Sequence, residues 1–173
     1  NASKGILRGA GVIPLIMTIP TDIPHNQGCL DQITVSAPEG SITNAEWPHS
    51  TISGTVLPGD IMQEVVWKAI AQAVPEAVRA GTARWNVGPM VAGGDARAGT
   101  DWGHLYTNAA GGGGASFGND GWPLICAAGA EGSISTPSVE ETEMLVPIVV
   151  EYAEIAPDSM GLGQWIGGPG VRS

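Results

Sequence analysis

The groups in this chain able to do chemistry are few and widely spaced. His25, His49 and His104 lie far apart, and none has an Asp, Glu or second His at metal-ligand spacing. Each reads as an ordinary loop histidine. His25, in a dense loop with Asp22 and Asn26, is the one best placed for chemistry. Cys29 and Cys126 form no Cys-x-x-Cys pair. Cys29 follows Gly28 in a turn where a nucleophile could sit, but no base adjoins it, so an inert thiol is expected. Glu140, Glu141 and Glu143 form an acidic cluster of the kind that can do general acid–base work; their setting reads instead as a solvated strand entrance. Gly111-Gly112-Gly113-Gly114 lacks the Gly-Lys-Ser/Thr end of a phosphate loop. A tight backbone crossing or bulge is expected there ahead of an anion cradle.

The elements that must position these residues are mixed. Gly11–Pro20 reads as an extended edge because of Pro14 and Pro20. Thr21–Gly28 is a loop ending in an Asn-x-Gly turn, and Asp31–Ser36 alternates with strand period. Ala37–Ser41 has the Pro and Gly of a tight turn. One long amphipathic helix is expected over about 60–74, capped by Asp60, with Ile61, Val65, Ala69 and Ala73 as its buried seam. Pro75-Glu76 opens a short second helix that ends at Gly81. Met144–Ile155 is the strongest strand candidate, broken at Pro147. The expected fold class is α+β, strand- and turn-rich, within a single domain or a fragment of a larger subunit over 1–173.

Composition narrows the function. Hydrophobic residues at 43% suffice for a core, whereas charged residues at 14% are too few for an ordinary free-standing surface. Much of that surface is therefore expected to be buried against partner chains or missing segments. A net charge of -10 with scattered Lys and Arg argues against nucleic acid and anionic membrane as partners. The opening residues lack a signal-peptide pattern, no stretch is long and apolar enough to span a bilayer, and a reduced cytoplasmic protein is expected.

Read in order, the motifs resemble the hydantoinase B/oxoprolinase family. The likeness rests on Asp22-Ile23-Pro24-His25-Asn26-Gln27-Gly28-Cys29 followed by Ala37-Pro38-Glu39-Gly40-Ser41. It continues through the helix from Asp60, Ala83-Arg84-Trp85-Asn86 before Gly93-Gly94, and the four-glycine run. It closes on Ser135-Thr136-Pro137-Ser138-Val139-Glu140 and Pro157-Asp158-Ser159-Met160-Gly161-Leu162-Gly163. Where the family has His and Asn before its Thr-x-x-Pro-x-Glu segment, this chain has Ala127-Ala128-Gly129-Ala130-Glu131-Gly132.

The resemblance implies a hydantoinase B-like subunit in an ATP-dependent complex. A partner A-type, sugar-kinase-like subunit would bind ATP and activate a carbonyl by phosphorylation. A divalent metal would complete the reaction, held by segments outside this stretch. The outcome would be hydrolysis of a cyclic amide (hydantoin, 5-oxoproline, a lactam) or carboxylation of a ketone. On the same basis Asn26, Gly28 and Asn86 are candidates for the substrate-binding surface, the asparagines orienting substrate and Gly28 allowing close backbone approach. Turn formation is an equally good account of both asparagines. No residue here is assigned an acid, base or metal-ligand role. The other reading is a non-catalytic structural or interaction subunit that keeps the fold.

Overall fold

The computed structural model describes residues 1–83, 90–95, 99–106, 110–125 and 135–172. Its longest helix, α1 (Lys4–Thr18), covers most of the stretch expected to be extended. The Ser3 hydroxyl caps it by accepting from the Ile6 N–H at 3.4 Å. Pro14 lies inside the helix, where it removes one donor but buries its ring, and Ala10 one turn earlier is buried too. That packing against the next long helix outweighs the single lost bond, so the proline was a misleading signal. Asp31–Ser36 forms no ladder among the described residues. Val35 packs instead against Gly11 of α1, where a Cβ would come within 2.8 Å of its Cγ2.

Asn26 caps a four-residue helix, α2 (Gln27–Leu30). The turn at Ala37–Ser41 forms as expected, with Gly40 at φ +74°. A π-helical turn at Thr55–Gly59 leads without a break into α3 (Asp60–Ile70), which packs on α1. The helix expected over about 60–74 is thus eleven residues long, and Asp60 lies buried in its first turn and is not its cap. Its buried face is also inverted. Asp60, Gln63, Glu64 and Trp67 point inward, and Ile61 and Val65 are exposed. A four-residue apolar period could not reveal this, because a polar face can be buried when it has partners. Here the Glu64 carboxylate accepts the Thr82 N–H at 3.2 Å. Pro75–Ala77 is a single 3-10 turn.

Strands β1 (Met90–Asp95) and β2 (Thr100–Leu105) form an antiparallel hairpin. Gly93 faces Trp102 across it, and any Cβ there would meet the indole at 2.7 Å. The expected strand at 144–155 is instead divided. Its start belongs to α4 (Val139–Leu145), and only β3 (Glu154–Ile155) pairs, with β4 (Val171–Arg172). The reason is a capping box: the Ser138 hydroxyl accepts the Glu141 N–H, and the Glu141 carboxylate accepts the Ser138 N–H, both at 3.1 Å. Glu140 and Glu141 therefore occupy a helix's first turn and not a strand entrance. The fold is mixed helix and strand, with helices carrying more described residues than strands, and the buried hydrophobic set among the described residues is small.

Candidate functional site

The four-glycine run lies at a junction of three backbone segments. On one side the Ala83 N–H donates to Gly112 O at 3.1 Å and the Ala80 N–H to Ala115 O at 2.8 Å. On the other the Gly113 N–H donates to Trp122 O at 2.9 Å, and Gly113 O accepts from Gly168 at 2.8 Å. A Cβ on Gly112 would fall 1.7 Å from Gly168 O, one on Gly114 2.1 Å from Ala80 O, and one on Gly168 2.0 Å from Trp122 O. Side chains are excluded because main chain already fills their space. The expected tight crossing is what forms.

Two cavities open beside this junction. One, of about 530 Å³, is walled largely by glycine backbone with Thr82, Ser159 and Trp165. The other, of about 540 Å³, lies between α3 and the Phe117–Trp165 pair, whose rings are 4.9 Å apart. Glu64, Trp67, Lys68 and Arg79 line it, with the Arg79 guanidinium 4.4 Å over the Trp67 ring. The cavities share Ala80, Gly81, Ala115 and Trp165. Sequence reasoning missed this wall, because its residues sit on α3, the 79–83 segment and the C-terminal turn. No apolar period marks it, because three of the four inward residues of α3, Asp60, Gln63 and Glu64, are polar.

Asn26 and Gly28 share one turn, in which Asn26 Oδ1 accepts the Gly28 N–H at 2.9 Å. The side chain is exposed. A Cβ on Gly28 would press on Asn26 Oδ1 at 3.1 Å. Cys29 donates to Pro24 O at 3.1 Å. Asn86, Cys126 and the Ala127–Gly132 stretch lie outside the described residues. His104 is on β2, not in a loop, and its Nε2 and the Tyr106 hydroxyl two residues on are buried without a partner among the described residues. Among the described residues no three His, Cys, Asp or Glu side chains converge to hold a metal. The described side chains therefore offer no donor set that fits an ion. At α4, the backbone N–H of Glu140 and then the Ser138 hydroxyl hold the Glu140 carboxyl below its ordinary pKa.

The Pro157–Gly163 turn is held by Ser159, whose hydroxyl donates to Ala156 O at 2.8 Å and accepts the Gly170 N–H at 3.0 Å. This turn, the glycine junction and the Asn26 turn are thus all shaping devices. The family model for Hydantoinase B/oxoprolinase matches residues 1–173. The chain belongs to the hydantoinase B/oxoprolinase family. Caprolactamase subunit beta of Pseudomonas jessenii is 29% identical over 99% of this chain and 29% of its own length. The 5-oxoprolinase PfmaA of Pestalotiopsis fici is 31% identical over 99% of this chain and 13% of its own. The crystal structure of ATP-dependent caprolactamase from Pseudomonas jessenii superposes with a TM-score of 0.79 at 28% identity, over 99% of this chain and 30% of that one. The chain thus spans less than a third of the length of these family members. Among the described residues no helix is long and apolar enough to cross a membrane.

Proposed function

We propose that this chain is part of a B-type subunit in an ATP-dependent complex that hydrolyses a cyclic amide. The observation that carries this reading is the likeness, along 99% of the chain, to a caprolactamase subunit in both sequence and structure. A relative named as a 5-oxoprolinase points to the same bond, the amide of a small ring. An A-type, sugar-kinase-like partner would bind ATP and phosphorylate the amide oxygen. The divalent metal that the resemblance implies would be held outside the described residues, among which no convergent donor set is found.

This stretch would shape the site and not perform proton transfer. The Asn26 NH2 group would donate to a substrate oxygen, Asn86 would be a second orienting group, and Gly28 would keep the approach open. In an intact complex, Asn26→Ala should lower turnover more than twofold with little change in melting temperature; a smaller loss removes Asn26 from the site.

The decisive assay incubates the full-length protein and its A-type partner with ATP and caprolactam, 5-oxoproline or hydantoin, and separately with a ketone and bicarbonate. ATP-dependent ring opening supports the proposal. Product only from the ketone replaces it with a carboxylase. The lack of a convergent donor set among the described residues favours a second reading, a structural subunit of that complex. Full activity of the complex after deletion of this stretch from a still-folded assembly would establish it.

A further inference from the structure

We draw no further inference here: the strongest candidate, the cavity of about 540 Å³ between α3 and the Phe117–Trp165 pair with Lys68 and Arg79 on its wall, carries nothing, because the chain spans less than a third of the length of its family members and nothing in the structure shows whether a ligand, another subunit or the rest of the same polypeptide fills it.

Discussion

At Gly112 there is no room for one methyl group, and at Met144, some thirty residues on, a whole side chain lies in the open. The glycine junction is specified by backbone against backbone. Its bonds join segments distant in sequence, and its side chains are absent by necessity. The α4–β3 segment is specified by local signals, a cap and a short pair of strands, and its side chains face outward. The difference predicts that substitutions at the junction cost stability, whereas those on the outer face of the segment leave it almost unchanged.

The sharpest way to break this contrast is Gly112→Ala. The new Cβ would sit 1.7 Å from Gly168 O, a main-chain atom fixed by its own neighbours. Relief requires separating two backbone segments, so a loss of about 3 kcal/mol or more is expected. Thermal or urea unfolding of the full-length protein checks it. A variant as stable as the parent would show that the junction is loose, and the comparison would collapse.

The junction was legible because four glycines flanked by aromatics leave few physical options. The Asn-x-Gly turn and the Ala37–Ser41 turn were equally legible, since their geometry is set within a few residues. The helix at Lys4–Thr18 was not, because two prolines outweighed Ser3 as a cap signal in a reading without tertiary contacts. α3 was found, but its inner face was reversed. The partners of Glu64 and Trp67 are Thr82 and Arg79, residues no local period can bring near. The acidic cluster at 140–143 reads as a solvated strand entrance because β-branched residues follow it, yet the Ser138–Glu141 spacing is that of a helix capping box. The candidate site was the least legible part: Asn26 and Gly28 do share a turn, but the cavity walls come from segments far apart in sequence.

A smaller effect tests the other region. Ser138→Ala removes both the hydroxyl that accepts the Glu141 N–H and the reciprocal geometry of the box. About 1 kcal/mol should be lost. If the segment is ordered by local signals, this loss should appear mainly as faster amide exchange in residues 139–145, with slow exchange kept at Gly113 and Gly168. Loss of protection at the junction as well would mean that the regions are coupled.

Smaller still, and opposite in sign, is Gly9→Ala. Gly9 lies inside α1 with nothing within 4 Å of a built Cβ. Glycine has no steric reason to be there, so alanine should stabilise by about 0.5–1 kcal/mol through reduced unfolded-state freedom and better helix propensity. A higher melting temperature is expected. A lower one would show that crowding at the junction is not what separates required from dispensable glycines.

The smallest effect concerns acid. Glu140 has its carboxyl pKa lowered, first by its backbone hydrogen bond and then by Ser138, at a fully exposed position. A depressed carboxylate contributes stability that is fully present above its unfolded value. That contribution is lost as pH falls through the lower folded value. The loss should therefore begin near the ordinary glutamate value of about 4.3 and finish below it, confined to the first turn of α4. Amide exchange or NMR shifts of residues 139–142 against pH would follow it, and Glu140→Gln should remove the Glu140 part of that dependence. The Gly113–Trp122 and Gly168–Gly113 bonds of the junction run main chain to main chain, so their amides should show no midpoint in that window. A shared midpoint would mean that the two regions titrate as one unit.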